Sequence, residues 1–433
     1  MSKNKPRNPD HVRRRNKPSV SNEEIEAQLT ALLTPAIHGQ MSYYRQLKLR
    51  ERILGLPLMV AAILTLLWRQ VPSVHELSRL LAREDLLWCK AVHVSQQALS
   101  QRLLSFPAEL FERVYKDLLP QLHARWGQRQ RRPVPLAIQL ARAHFAHVWV
   151  ADGSTLEALF RKLDALQAAP VGQLAGKMCM VIDLVRQYPV EIWFNEHAQA
   201  FDTNFIPNLL DLVRQRTLLI LDRGFYDFQF FADVMAREAH FITRLKKNAK
   251  IELVRRLTYT DSVKDLIVRL GTGQNEAPIL TVRLVEVRFG RFWYSYITSV
   301  LDPEVLPPFV VADLYRRRWR IEEAFNTAKR LLDLRYLWTG SVNGIQLQIW
   351  ATWLFYAVLV DLGDAVADAM SVPVERISLE MLFRGLYHFT QAAAKGNAPD
   401  PVAYFTAPEN EDLDVIKRLR KPPLKLNLAP YPI

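Results

Sequence analysis

The chain has 433 residues, about half of them apolar, which is enough for two or three domains that each bury a core. Its formal net charge of +13 indicates a polyanionic partner or an acidic membrane surface and says nothing about the fold. With only two cysteines, Cys89 and Cys179, the composition argues against a disulfide framework and a cysteine-based zinc site, and it fits a reducing cytoplasm.

The first segment, residues 1–20, carries seven Lys or Arg and one Asp. We predict a disordered basic arm attracted to phosphate, although a solvated tail without a specific role would have the same composition. No apolar core of a secretory signal is visible. The apolar runs Leu56–Trp68 and Ile349–Val360 are shorter than the ~20 residues that cross a bilayer. We therefore expect both runs to be buried helices and expect no membrane partner.

Residues 21–132 are predicted to form an all-helical domain. Ser73 precedes one helix, Val74–Ala82, and a second helix spans Val94–Leu104. The two short helices resemble a helix-turn-helix, whose second helix enters the major groove. The candidate DNA-binding side chains on the outer face of the second helix are Ser95, Gln96, Gln97 and Arg102. Gln and Arg can read base edges, although any small helical bundle has a polar outer face.

From about residue 133 the pattern changes to strands that alternate with helices, which is typical of an α/β fold. The predicted strand Phe145–Ala151 ends at Asp152, and the apolar run Thr217–Leu221, typical of a buried central strand, ends at Asp222. The remaining predicted strands are Lys177–Arg186, Pro189–Phe194 and His240–Leu245, and the predicted helices are Asn204–Arg214 and Phe228–Glu238. This order of elements predicts a mixed sheet.

The two aspartates are the first candidates for a functional site. A carboxylate at the carboxyl end of a buried strand projects into the crevice where α/β proteins bind ligands. A glycine follows Asp152 and Asp222 closely, and we expect it to allow a sharp turn beside each one. Two carboxylates on neighbouring strands favour a divalent cation between them, Mg²⁺ or Mn²⁺. A single Asp at a strand end can equally be a helix cap, so a third ligand is needed to decide.

The sequence pattern of residues 249–300 predicts a β-rich insertion, with antiparallel strands at Ile279–Val287 and Phe292–Thr298. A single long helix is predicted to follow at Leu306–Leu332. The remaining C-terminal part is predicted to be helical, with a basic tail. The predicted domains are the arm at 1–20, the helical domain at 21–132, the α/β domain at 133–370 with its insertion at about 249–300, and the C-terminal region at 371–433.

Four polar side chains of the long helix share one stripe. They are Tyr315, Arg318, Glu322 and Lys329. At about 100° per residue they fall within roughly 60° of one another, next to the apolar face that packs inward. Glu322 can therefore complete a metal site with the two aspartates, whereas Glu323 points about 100° away. An exposed Glu–Arg pair is the simpler alternative, but it does not explain the aligned tyrosine and lysine.

The stripe has the spacing Tyr-x2-Arg-x3-Glu-x6-Lys, which is the YREK signature, and the chain resembles the DDE transposases of the insertion-sequence-four family. The segments Asp152–Thr155 and Asp222–Phe225 resemble the first and second Asp motifs of that family. The separations also agree, with 70 residues between the aspartates and 100 from Asp222 to Glu322, because the family inserts a β-domain before the Glu helix. The resemblance covers roughly residues 134–370.

The resemblance implies a ribonuclease-H-like core, preceded here by the helical N-terminal domain. Its catalytic triad would be Asp152, Asp222 and Glu322, which would bind two Mg²⁺ or Mn²⁺ ions. One ion would activate water or a 3′-hydroxyl, and the other would stabilise the leaving oxygen.

The resemblance also implies which side chains contact DNA. Tyr315, Arg318 and Lys329 would hold phosphates of the terminal strand. Similar enzymes extrude a base near the element end onto a tryptophan of the β-insertion. Trp293 is the nearest match, with the register uncertain by one residue, and Trp319 is a second candidate; the alternative for Trp293 is an ordinary strand aromatic.

The implied function is cut-and-paste transposition of an insertion sequence by a homodimer, with nicking at the element ends, a terminal hairpin and joining of the 3′ ends to target DNA. The partners would be double-stranded DNA, both the terminal inverted repeats and the target, in the cytoplasm of a prokaryote at the nucleoid. Two alternatives stay open, namely an inactive or domesticated relative that only binds DNA and a ribonuclease-H-like nuclease. The complete triad argues against the first.

Overall fold

The structure is a computed structural model that describes residues 23–49, 53–156, 176–272, 277–332, 334, 338, 341–398 and 400–417. The predicted basic arm at 1–20 and the basic tail beyond Lys417 lie outside these residues.

Helices form the first part of the chain. They are α1 (Glu23–Gly39), α2 (Met41–Gln46), α3 (Leu56–Trp68), α4 (Val74–Arg83), α5 (Gln96–Ser105), α6 (Ala108–Gln128) and α7 (Leu136–His144). The predicted buried helix at Leu56–Trp68 is confirmed as α3, in which every residue except Pro57 is buried. Ser73, which precedes the predicted helix, caps α4, because its hydroxyl accepts a hydrogen bond from the amide of Glu76.

The second part is a nine-stranded mixed sheet with the order β3-β2-β1-β4-β5-β9-β8-β7-β6. Its strands are β1 (His147–Thr155), β2 (Lys177–Asp183), β3 (Pro189–Asn195), β4 (Thr217–Leu221), β5 (His240–Arg244), β6 (Ile251–Tyr259), β7 (Val263–Leu270), β8 (Leu280–Phe289) and β9 (Phe292–Thr298). Two helices, α8 (Ile206–Leu212) and α9 (Phe228–Ala236), flank β4 in the sequence. The pairing is antiparallel from β1 to β3 and parallel from β1 through β4 to β5. The predicted mixed sheet is therefore confirmed.

The β-rich stretch after β5 extends the same sheet. Strands β6 to β9 form an antiparallel meander, and β9 pairs antiparallel with β5 at the edge of the first five strands. The sequence pattern predicted β8 and β9 but missed β6 and β7. Residues Ile251–Arg256 of the edge strand β6 are all exposed, so this strand lacks the alternation of buried and exposed residues that identifies a half-buried strand.

The C-terminal part is helical, as predicted. It contains α10 (Pro308–Arg316), α11 (Trp319–Asn326), α12 (Val342–Ala369), α13 (Leu379–Ala394) and α14 (Pro401–Thr406). One core joins these helices to the N-terminal helices and to one face of the sheet, whereas α8 and α9 cover part of the other face. The N-terminal helices thus pack on the rest of the chain, and the division into domains stays a prediction.

An ion-pair network fastens α6 and the segment after it to α12. Arg129 reaches Asp361 and Asp364 at 2.8 and 2.9 Å, and Arg132 also pairs with Asp364. Arg129 and Arg132, at the predicted boundary between the helical and α/β parts, are therefore neutralised within the protein.

By length and composition alone, the helix α12 could cross a membrane, and 83% of its most apolar stretch is buried inside the protein. This burial is the property of a central core helix. The predicted buried helix at Ile349–Val360 is confirmed as the middle of α12.

Candidate active site

The two aspartates lie side by side on adjacent parallel strands. Ala151 of β1 pairs with Leu221 of β4, so Asp152 and Asp222 follow at the same level of the sheet. The prediction that β1 ends at Asp152 is wrong, because the strand continues to Thr155 through its pairing with β2. Asp222 ends β4 as predicted, and its carboxylate also caps the short 3-10 turn that follows.

The predicted single helix at Leu306–Leu332 is wrong in two places. Residues Arg317 and Arg318 keep helical dihedral angles, but the turn between α10 and α11 tightens into i→i+3 hydrogen bonds, such as Arg318 N to Tyr315 O at 3.0 Å. After α11 the chain widens into a π-helical turn at Thr327–Leu331. Such irregular turns inside helices are frequent at functional sites.

Arg318 lies at the centre of the site. Its Nη atoms are 2.8 Å from Asp152 Oδ2, 3.6 Å from Asp222 Oδ1 and 2.8 Å from Glu322 Oε1. Three carboxylates from two strands and one helix therefore surround a single cation. Glu323 faces away and pairs with Arg320 at 2.6 Å. The structure thus brings together the three carboxylates predicted from the sequence and separates Glu323 from them.

The carboxylates have unequal environments. Burial raises the pKa of Asp152 to about 7, Arg318 opposes this rise, and the charges of Asp222 and Asp202 add to it. The side chains of Asp222 and Glu322 are 36% and 32% exposed, so both can reach a ligand in solvent.

The donor set fits a hard divalent cation. Carboxylate oxygens are the ligands that Mg²⁺ and Mn²⁺ prefer, and here three carboxylates already enclose the positive charge of a guanidinium. Among the described residues no group of three His, Cys, Asp or Glu side chains is close enough to hold a metal ion directly. The guanidinium of Arg318 lies between the carboxylates, and it would have to leave before they could share an ion.

Tyr315 and Lys329 flank the three carboxylates. The ring of Tyr315 is buried against Tyr296 of β9, with the ring centroids 5.2 Å apart, and burial raises its pKa to about 12. Lys329, in the π-helical turn, donates hydrogen bonds to Ser154 Oγ at 2.6 Å and Thr155 O at 2.7 Å. Lys329 therefore borders the end of β1, whereas Tyr315 packs against β9.

A fourth carboxylate, that of Asp202, was missed by the sequence reasoning. Asp202 begins the 3-10 turn before α8, and Lys177 Nζ lies 2.6 Å from its Oδ1. A Cβ on either Gly153 or Gly224 would overlap an oxygen of this carboxylate. Gly153 lies within β1, so the turn expected beside Asp152 is absent, whereas Gly224 lies in the 3-10 turn that follows Asp222; neither glycine has a positive φ. They are needed because Asp202 approaches their backbones closely.

The two tryptophans predicted to stack on an extruded base lie in different places. Trp319, at the start of α11, is 60% exposed, and the Arg318 guanidinium is 5.7 Å from its ring. Trp293 and Tyr296 are three residues apart in β9 and therefore face opposite sides of the sheet. Tyr296 contacts Tyr315 at the site, so Trp293 faces away from the site, and Tyr294 is the half-buried aromatic on the site's side.

The predicted DNA-reading residues belong to α5 and its cap. Ser95 caps the helix by accepting a hydrogen bond from the amide of Ala98, and Gln96 and Gln97 are exposed. Arg102 instead bonds inward, to the hydroxyl of Tyr44 at 2.8 Å. Residues 84–95 separate α4 from α5, a longer connection than the three or four residues of a typical helix-turn-helix.

Residues 152–358 match the family described as transposase DDE domain. The transposase named y4zB of Sinorhizobium fredii is 27% identical over 188 residues, which cover 42% of this chain and 51% of that relative. The transposase named for insertion sequence element IS4SA of Synechocystis is 23% identical over 167 residues, or 37% of this chain and 46% of the relative.

A third relative, the transposase named for insertion sequence element IS5377 of Geobacillus stearothermophilus, is 25% identical over 177 residues. That match covers 40% of this chain and 46% of the relative. The chain spans about half the length of the curated relatives it matches. The matched region begins at Asp152 and includes the other two carboxylates and Arg318. Residues 152–358, just under half of the chain, are therefore similar to the DDE domain of transposases.

Proposed function

We propose that this protein is a transposase that cuts an insertion sequence out at its ends and joins the 3′ ends to target DNA. The observation that carries the proposal is the meeting of Asp152, Asp222 and Glu322 around one cation, inside the region that matches the family. The mixed sheet, with three antiparallel strands next to two parallel ones, supports a ribonuclease-H-like core.

Asp152, Asp222 and Glu322 would hold two Mg²⁺ or Mn²⁺ ions in this function. Bound there, the ions would polarise the scissile phosphate and favour deprotonation of the attacking water or 3′-hydroxyl. Arg318 would turn from the carboxylates to the phosphate oxygens of the DNA end, which suit the fork of a guanidinium. Tyr315 and Lys329 would contact the DNA on either side of Arg318. Tyr315 lies against β9, and Lys329 lies at the end of β1.

We further propose a homodimer acting on paired ends with a hairpin intermediate, in the prokaryotic cytoplasm at the nucleoid, on the resemblance to the family. The excess positive charge supports double-stranded DNA as the partner, both element ends and target. Exposed Trp319 and Trp293 stay candidates for stacking on a base. The position of Trp319 beside Arg318 favours it, because Trp293 faces away from the triad.

The experiment that tests the function uses the DNA that flanks the gene on both sides as substrate, with a second, unrelated plasmid as target. We expect Mg²⁺-dependent breaks at inverted repeats and joining of the ends to the plasmid. Binding without breakage in Mg²⁺ or Mn²⁺ would identify a relative that only binds DNA. Breakage without joining would identify a nuclease, since hydrolysis uses water in place of the 3′-hydroxyl.

Substitutions of Ser95 can distinguish a DNA contact by α5 from simple capping of that helix. We expect Ser95→Ala to lower the free energy of unfolding by about 1 kcal/mol, because the cap of α5 is lost. Ser95→Asp keeps a cap but places a negative charge on the proposed DNA face, so it should weaken DNA binding without lowering stability. Urea denaturation and fluorescence anisotropy measure the two effects.

Ser378, which caps α13 by accepting a hydrogen bond from the amide of Met381, offers a matched control. Ser378→Asp should leave DNA affinity unchanged. If Ser95→Asp binds DNA as tightly as the wild type, the N-terminal end of α5 does not contact DNA.

A further inference from the structure

The carboxylate of Asp202 lies between the backbone segments that follow the two proposed metal ligands, Asp152 and Asp222. Gly153 directly follows Asp152, and Gly224 lies two residues after Asp222. The side chain of Asp202 fills the position that a Cβ would take at both glycines, with Oδ1 towards Gly153 and Oδ2 towards Gly224. One side chain thus spans the backbones beside both aspartates.

The same two glycines orient the aspartates. The amide of Gly153 donates a hydrogen bond to Asp152 Oδ1 at 2.8 Å, and that of Gly224 donates one to Asp222 Oδ2 at 3.4 Å. A displacement of either glycine would therefore turn the neighbouring carboxylate. Because Asp202 touches both glycines, it can set the distance and the orientation of the two carboxylates together.

Lys177 holds Asp202 in this place. Its Nζ lies 2.6 Å from Asp202 Oδ1 and 2.7 Å from the carbonyl oxygen of Ala200. Lys177 is the first residue of β2 and pairs with Thr155 of β1, so it is fixed to the strand that carries Asp152. The side chains of Lys177 and Asp202 are only 13% and 18% exposed, which favours a persistent ion pair over a fluctuating surface pair.

We propose that Asp202, held by Lys177, is a positioning residue that fixes Asp152 and Asp222 in the spacing needed to bind a divalent cation. This inference rests on the proposed function, because it assumes that the two aspartates share metal ions. Residues that hold metal ligands in place typically contribute roughly 10–100-fold to metal affinity.

The test measures Mn²⁺ binding by the full-length, DNA-free protein, using calorimetry and the electron paramagnetic resonance signal of the bound ion. We expect Asp202→Ala and Lys177→Met each to weaken Mn²⁺ binding at least about ten-fold while the protein stays folded by circular dichroism. Gly224→Ala should weaken binding as well, because the three closest atoms to its added Cβ all belong to Asp202.

The double variant Asp202→Ala/Gly224→Ala makes the test specific to this contact. Removal of the carboxylate opens the space for the Cβ, so the double variant should bind Mn²⁺ no more weakly than Asp202→Ala alone. Gly127→Ala is the control, because no atom lies within 4 Å of a Cβ at that position. Wild-type affinity in both Asp202→Ala and Lys177→Met, or additive losses in the double variant, would overturn the proposal.

Asp152→Asn separates this inference from the proposed function. If Asp152→Asn leaves Mn²⁺ binding unchanged, the metal site itself is wrong and the proposed function fails with it. If Asp152→Asn abolishes binding while Asp202→Ala and Lys177→Met do not weaken it, only the positioning role of Asp202 is overturned.

Discussion

Replacement of Glu322 by Gln should lower the rate of DNA cleavage by more than about 100-fold. Even substitution of a residue that only hydrogen-bonds to a metal ligand typically lowers metal affinity or activity by roughly 10–100-fold. The change keeps the shape of the side chain but replaces the carboxylate with a neutral amide, which binds a hard cation only weakly. Asp152→Asn and Asp222→Asn should have the same effect. Cleavage of a labelled element end in Mg²⁺ measures the rates.

DNA affinity should stay the same or rise in these variants, because each one removes a negative charge that faces the phosphates. The matched control is Glu323→Gln, one residue along the same helix, where the carboxylate pairs with Arg320 and faces away from the site. We expect this control to cleave like the wild type. A Glu322→Gln protein that cleaves normally would remove Glu322 from the triad, and loss of DNA binding together with cleavage would indicate a structural role.

The three carboxylates could be predicted from the sequence because each one lies in a local pattern. Asp222 ends a short apolar run, and Glu322 shares a helical stripe with three other polar residues. The alignment of these four residues was predicted for a regular α-helix with about 100° per residue. They still lie on one side of the chain although the structure contains two irregular turns. The 3-10 turn at Arg318 advances side chains further per residue than an α-helix, and the π-helical turn at Lys329 advances them less, so the two deviations oppose each other.

The remaining features depend on contacts between distant parts of the chain. Asp202 lies in an unremarkable turn, and only the fold places it between Gly153 and Gly224. The sequence has several arginines near residue 130 and does not show which carboxylates neutralise them. In the structure Arg129 pairs with Asp361 and Asp364, more than 230 residues away, and local charge patterns cannot reveal such partners.

The face of the sheet on which each aromatic side chain of β9 lies also depends on a contact with a distant part of the chain. A shift of one residue moves a strand side chain to the opposite face, and the sequence alone does not say which face meets the helix. The contact between Tyr296 and Tyr315 decides it, since it places the even-numbered aromatics of β9 on the side of the triad. A base that stacks near the triad would therefore meet Tyr294 or Trp319 more directly than Trp293.

Arg318→Ala should destabilise the protein in the absence of divalent cations by about 3 kcal/mol, the lower end of the range for a buried ion pair that loses one partner. The lower end applies because Asp222 and Glu322 are each about one third exposed and partly screened by solvent. The loss arises because three carboxylates remain together without the guanidinium that neutralises them. Urea denaturation in EDTA measures it.

The pH dependence follows from Asp152. Its pKa in the folded protein is already raised to about 7, so the folded state binds more protons than the unfolded state between the ordinary pKa of an Asp and 7. Stability from this group therefore falls as the pH rises through that window. Without Arg318 the folded-state pKa should rise further, so the destabilisation should be larger at pH 8 than at pH 6.

Mn²⁺ should stabilise the Arg318→Ala variant more than the wild type. An ion that binds only the folded state adds stability by mass action, and in the variant it does not have to displace the guanidinium from the carboxylates. The control is Arg384→Ala, which removes an exposed pair with Glu380 and should change stability by less than about 0.5 kcal/mol. Equal stabilisation of variant and wild type by Mn²⁺ would mean that Arg318 does not occupy the place of the ion.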